Sequence, residues 1–208
     1  GDKAKLSDVW QGVAYRKDIG FMVRRQYLVP PRGKRIIVDD LELSKVKKSG
    51  GDFQAAALGE ALEASLAPEV IAKAYVEHAS ERQGILFAPT VDAAYAFSDA
   101  LEAQGIVSEV IHGALPREQR RAIVKRLDAG ATQVVCNCAV LTEGFDSPAV
   151  SCVVVARPTQ SAPLYQQMVG RGLRVDPSRA YEGQDCLIVD DLIDTAGKRY
   201  LDGSSGAA

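Results

Sequence analysis

The sequence predicts an α/β fold, a mostly parallel sheet covered by helices on both faces, and three observations predict it. From Gly84 onward, short apolar runs alternate with amphipathic helical stretches. The links between them are short, as strand–helix–strand units in a parallel sheet require. The strand runs are apolar at nearly every position, Cys152 through Ala156 being one, which suits a sheet buried on both faces.

The elements follow in order. Residues 9–15 are weakly apolar, and residues 18–27 alternate apolar and basic side chains. Val29-Pro-Pro-Arg-Gly-Lys-Arg35 is a breaker cluster that marks a boundary. Ile36-Ile37-Val38 is then a short strand, and residues 44–52, with three lysines and Gly50-Gly51, read as a mobile loop. Residues 53–66 are alanine-rich and helical, and Pro68 starts a second helix running to about Ala79. Strands are expected at 85–88, 107–111, 133–138, 151–156 and 186–189. Helices are expected at 91–104, 116–129 and 161–168, the first two closed by Gly105 and Gly130. This divides the chain into a connector (1–35), an α/β domain (36–194) and a flexible tail (195–208).

Composition sets the outer limits. The 208 residues are 47% hydrophobic and 25% charged, enough for one substantial core under an ordinary soluble surface. The formal net charge is −2, so any nucleic-acid role rests on a local basic patch rather than on global charge. No stretch approaches the roughly 18 apolar residues of a membrane span, and a cytoplasmic location is expected. Cys136, Cys138, Cys152 and Cys186 lie in apolar strand runs and read as buried, reduced thiols rather than as disulfides or zinc ligands. No metal site is expected. Ile36-Ile-Val-Asp-Asp-Leu and Leu187-Ile-Val-Asp-Asp-Leu each resemble a magnesium-holding strand, but no G-x-x-x-x-G-K-[ST] loop accompanies them.

Ligands of open parallel sheets gather beyond the carboxyl ends of the strands. Four segments expected there carry unusual chemistry. Ala88-Pro89-Thr90 enters a helix, where free N–H groups and the Thr90 hydroxyl suit a phosphate, an N-cap being the plainer alternative. His112-Gly113 again precedes a helix, and Gly113 either lets a phosphate backbone approach or simply makes a turn. That helix carries Arg117, Arg120, Arg121, Lys125 and Arg126 near the acid Glu118, which is either a solvated face or a basic one for nucleic acid. In Thr142-Glu-Gly144-Phe-Asp146-Ser-Pro148, the turn around Gly144 presents the Asp146 carboxylate, suited to a ribose hydroxyl. Last, residues 159–174 lead through Gln167 to Gly170-Arg171-Gly172-Leu-Arg174, where the glycines bracket Arg171 and let another surface come close. Arg171 and Arg174, one turn apart if the backbone stays helical, either grip one polyphosphate together or are two surface arginines on a solvated helix end.

Together these segments resemble the motifs of the second RecA-like domain of superfamily 2 DEAD/DEAH-box helicases. Residues 85–92 resemble motif IV, and His112-Gly113 with Arg120 resemble the next nucleic-acid-contacting motif. Residues 142–148 resemble motif V in the form found in RadD, XPB and type III restriction subunits. Gln167-Met-Val-Gly-Arg-Gly-Leu-Arg174 matches motif VI in full. The resemblance implies a three-layer RecA-like fold and an ATP-dependent motor acting on DNA, with RNA the alternative. It implies that Arg171 and Arg174 reach the ATP γ-phosphate, Arg174 as the arginine finger, with Gln167 near that phosphate or the attacking water. It also implies that Gly144 and Asp146 meet the nucleotide, and that Thr90, Gly113, Arg117, Arg120 and Thr142 hold nucleic acid. The Walker A lysine and D-E-x-x box of the family's first domain are not in this sequence. ATP and Mg2+ are therefore expected to be held mainly by an N-terminal RecA-like domain, and the chain to be an inactive half by itself. The rival expectation is a non-catalytic module that binds nucleic acid or protein. A Rossmann-type enzyme is disfavoured, because no glycine-rich dinucleotide loop follows a strand.

Overall fold

Six strands run parallel in one sheet, in the spatial order β1 (Pro31–Arg35), β8 (Cys186–Asp190), β7 (Val150–Val155), β4 (Gln83–Phe87), β6 (Val134–Cys138), β5 (Ser108–His112). The chain is described here by a computed structural model, which describes residues 18–140 and 147–190. A separate two-stranded hairpin pairs β2 (Lys48–Ser49) with β3 (Asp52–Phe53). The helices are α1 (Ile19–Arg24), α2 (Ala55–Ala64), α3 (Ala67–Ala79), α4 (Val91–Ala103), α5 (Arg117–Asp128) and α6 (Ala162–Gly170). None of the described helices is long and apolar enough to cross a membrane.

Strand alternation divides the core into two layers. Leu86, Cys136, Cys152 and Val154 face one side, where Leu58, Tyr75 and Phe97 of α2, α3 and α4 cover them. Ile85, Phe87, Val135, Val153 and Val155 face the other, beneath Ile123 and Leu127 of α5 and Met168 and Val169 of α6. This is the α/β/α layering the alternation predicts. Left-handed glycines follow α4 and α5, Gly105 at φ +81° and Gly130 at φ +74°.

Three expectations are corrected. The first strand is Pro31–Arg35, not 36–38, so it lies within the span expected to be connector. Among the described residues it pairs only with β8, Pro31 opposite Cys186 and Arg35 opposite Asp190, and its side chains are largely exposed. An edge strand tolerates proline at its start and favours lysine and arginine along its length, a composition that reads as loop. Ile36-Ile37-Val38 continues beyond it, with Ile37 exposed. Secondly, residues 44–52 are not one loop. They hold the end of a 3-10 turn (Leu43–Lys45) and most of the β2–β3 hairpin, which turns through Gly50 and Gly51 at φ +62° and +87°. Two consecutive positive-φ residues are what a two-residue hairpin turn demands. Thirdly, Cys136, Cys152 and Cys186 are buried and free, as expected, but Cys138 is only half-buried.

Candidate functional site

Because every sheet strand is parallel, all six carboxyl ends lie on one edge. Strand register aligns His112 with Cys138, Asn137 with Phe87, Phe87 with Val155, and Val155 with Asp190. The loops after β4, β5, β6 and β7 therefore leave the sheet side by side.

At this edge Thr90 caps α4, its Oγ1 accepting from the Ala93 N–H at 3.1 Å. It also packs on α2, where a Cβ added at Gly59 would lie 3.0 Å from Oγ1. Serving as an acceptor leaves the hydroxyl its own proton to donate, so the cap and a phosphate contact are compatible. Gly113 is exposed, its φ is not left-handed, and a Cβ there would meet nothing within 4 Å. The turn itself does not require glycine. Arg117, Arg121 and Lys125 are exposed on α5, whereas Arg120 is half-buried, its Nε enclosed without a hydrogen-bond partner among the described residues. Arg126 leaves the basic face. Its Nε and Nη2 donate to the Glu109 carboxylate at 2.9 and 2.6 Å. Hydrogen bonding from Arg126, followed by that from Thr132, holds the Glu109 carboxyl below the usual range.

Thr142, Gly144 and Asp146 lie outside the described residues. The loop's two ends are fixed. Buried Asn137 accepts the Val140 N–H at 3.1 Å through Oδ1, and Ala139 turns the chain at φ +59°, a conformation costly without glycine. At the far end, buried Ser147 hydrogen-bonds the Asp128 carboxylate of α5. Asn137 was not singled out in the sequence; an asparagine where a strand becomes a loop was its only signal.

Another residue missed in the sequence, Asp52, fixes the start of α6. Its Oδ2 accepts from Thr159 Oγ1 at 2.5 Å and its Oδ1 from the Gln160 N–H at 2.8 Å. Thr159 Oγ1 accepts in turn from the Ser161 N–H at 3.0 Å, and Ser161 caps the helix. The hairpin is thus a strut. On the opposite side Tyr165 hydrogen-bonds Asp190 at the end of β8, and burial pushes its phenol well above the usual range.

From there α6 runs back over the sheet and ends at Gly170, so Arg171 and Arg174 do not share an edge with the other loops. Nor do they lie one helical turn apart. Arg171 closes the helix, Leu173 accepts the Val29 N–H at 2.9 Å, and Arg174 forms an extended bridge with Leu28. Gly172 does admit a close surface, but that surface is the chain's own core: a Cβ there would lie 2.4 Å from Cys186 Sγ and 2.6 Å from Val153 Cγ2. Gly170 has open space around it. Gln167 is exposed, and Arg171 and Arg174 are half-buried. Arg174 lines a polar cleft of about 220 Å³ near the amino ends of β7 and β8, with Arg82, Asp176, Arg179 and Asp185. Asp185 anchors the cleft wall, paired to Arg82 at 2.7 Å and Arg32 at 2.6 Å.

Among the described residues no three His, Cys, Asp or Glu side chains are grouped to hold a metal ion.

Residues 66–176 match the family of the helicase conserved C-terminal domain, more than half of the chain. The chain belongs to this family. As a helicase C-terminal domain it is 31% identical over 194 residues to IRC3 of Saccharomyces cerevisiae, named as a candidate ATP-dependent helicase, covering 91% of this chain and 27% of that protein. A 51.5 kDa protein of a Lactococcus phage is 24% identical across 90% of this chain and 40% of its own length. The domain thus spans between about a quarter and two fifths of these relatives. Its fold resembles a fragment of a candidate HsdR subunit of a type I restriction enzyme from Vibrio vulnificus, with a TM-score of 0.63, 19% identity, and coverage of 88% of this chain and 36% of that one. The C-terminal domain of the DEAD-box protein Dbp5 aligns at a TM-score of 0.50 and 21% identity, over 59% of this chain and 67% of that one. The three-layer sheet and its flanking helices are those of a RecA-like helicase C-terminal domain.

Proposed function

We propose that this domain is the second motor half of an ATP-dependent DNA helicase or translocase, RNA being the alternative track. It works against an N-terminal RecA-like domain that holds ATP and Mg2+. The observation that carries this reading is the course of α6. One helix, α6, starts at the sheet edge where Thr90 and Gly113 lie, runs to the opposite edge, and is followed there by Arg171 and by Arg174, which lines the polar cleft. Arg174 is the arginine finger in this reading, Arg171 supports it, and Gln167, exposed on the last turns of α6, orients the γ-phosphate or the attacking water. Thr90, Gly113, Arg117, Arg120 and Thr142 contact the phosphodiester backbone, and Gly144 and Asp146 face the nucleotide. Backbone contacts of this kind carry no sequence information, which suits a motor. An arginine finger contributes on the order of 10³–10⁵ in rate to nucleotide hydrolysis. In the full-length protein, Arg174→Ala should abolish nucleic-acid-stimulated ATP hydrolysis and leave nucleic-acid binding intact. Near-normal hydrolysis in that variant refutes the assignment.

The exposed basic face of Arg117, Arg121 and Lys125 also favours the rival reading, a module that only binds. A full-length protein that binds nucleic acid in a salt-dependent way but never hydrolyses ATP would select it.

A further inference from the structure

One feature of the carboxyl edge serves no internal purpose that the fold reveals. Tyr95, one turn into α4, is 46% exposed, one of the few large apolar residues exposed among the described residues and the least exposed of them. Its ring meets His112, the last residue of β5, at 6.1 Å between centroids with the planes 63° apart. His112 Nδ1 is buried and has no hydrogen-bond partner among the described residues. What it does make is an edge-type contact that steadies the tyrosine. Gly113 follows it directly and leaves open space, Arg117 is exposed at the start of α5, and Thr90 caps the helix that carries Tyr95.

We propose that Tyr95, braced by His112, is a stacking platform for one base of a single-stranded nucleic acid lying along this edge. The inference rests on the reading of Thr90, Gly113 and Arg117 as phosphate contacts, and adds to it a contact with the base. A solvent-exposed lone tyrosine needs no explanation in itself. A tyrosine buttressed by the ring of His112, with open space at Gly113 next in sequence and α5 starting with exposed Arg117 at the same sheet edge, has the parts of a single-strand site: a π-face and a basic group along one edge. Any base offers a π-face, so the platform should be tolerant of sequence and blind to duplex, whose bases are already stacked.

The test measures binding of the 208-residue chain, and of the full-length protein, to oligothymidylate and to the same strand made abasic. Tyr95→Ala should weaken binding to oligothymidylate roughly 5- to 150-fold, the range that base–aromatic stacking carries. The salt slope should stay unchanged, because no phosphate contact is lost. Tyr95→Phe and Tyr95→Trp should bind as the parent does, and on the abasic strand the Ala variant should match the parent. Alanine suits an exposed helix position, so the variant should fold normally, checked by circular dichroism. If Tyr95→Ala binds within about twofold of the parent while Arg117→Glu weakens binding and flattens the salt slope, the platform is refuted and the phosphate edge stands. If neither the parent chain nor the full-length protein binds at low salt, the reading of this edge fails and takes the platform with it.

Discussion

Gly172 and Gly170 flank the same arginine and should respond oppositely to one added methyl group. At Gly172 the new Cβ would lie 2.4 Å from Cys186 Sγ and 2.6 Å from Val153 Cγ2, both well inside van der Waals contact. Val153 and Cys186 are fully enclosed members of the layer beneath α6, so neither side chain has space to retreat. The 172–174 segment must lift instead, straining the Val29–Leu173 hydrogen bond and the Leu28–Arg174 bridge. Overpacking of a dense core typically costs about 1–3 kcal/mol. At roughly 2–4 °C per kcal/mol for a chain of this size, Gly172→Ala should lower Tm by about 2–12 °C. Gly170 ends α6 with nothing near its Cβ position, so Gly170→Ala should be neutral or stabilising by up to about 1 kcal/mol. Thermal unfolding of both variants beside the parent is the assay. A Gly172→Ala protein as stable as the parent would mean that the 172–174 segment does not press on β7 and β8 as described. The same pair separates packing from function. If Gly170 admits a partner domain, Gly170→Ala keeps its stability but loses stimulated hydrolysis in the full-length protein.

Three further perturbations follow from contacts that the fold brings together. Asp52→Ala removes charge-assisted bonds from Thr159 and Gln160 and should cost on the order of 1.5–3 kcal/mol in urea unfolding. Its effect and that of Thr159→Val should be non-additive in the double variant, because both break one network. Asp185→Ala leaves Arg82 without its ion-pair partner. With the arginine side chain 27% exposed, the loss should be roughly 1–3 kcal/mol, below the value for a fully buried pair. Arg32, 73% exposed, adds little. Glu109 has a folded pKa depressed below its unfolded value, chiefly by Arg126. The stabilisation is therefore complete above the ordinary glutamate value, about 4.3, and drains away as pH falls through the lower folded value. Glu109→Gln should flatten the acid side of the stability curve. An unchanged acid slope would show that the pair contributes nothing in solution.

Most of the sheet was legible because its central strands are buried on both faces and read as unbroken apolar runs. β1 was not, because an edge strand of Pro-Arg-Gly-Lys-Arg has the composition of a loop. The hairpin was missed although Gly50-Gly51 announced a turn, because its two-residue strands are too short to show alternation. At the site, the residue types were legible and the geometry was not. The spacing of Arg171 and Arg174 suggested a shared helical face, but the helix ends at Gly170 and Gly172 packs on β7 and β8 before Arg174 is reached. Arg126 looked like part of a basic face until Glu109, 17 residues away, neutralised it. Asp52 lies 107 residues from Thr159, a separation across which no local pattern could connect them.

The central claim is that α6 joins two separate surfaces, one for nucleic acid and one for nucleotide. A crossed pair of variants in the full-length protein tests it most directly, reading strand binding and ATP hydrolysis from the same preparations. Arg174→Ala should lose hydrolysis by on the order of 10³-fold or more and bind the strand as the parent does. Charge reversal at Arg117 and Arg121 should weaken binding and lessen its salt dependence, while ATP hydrolysis without nucleic acid persists. If Arg174→Ala instead loses strand binding and keeps its hydrolysis, the two surfaces have been assigned wrongly.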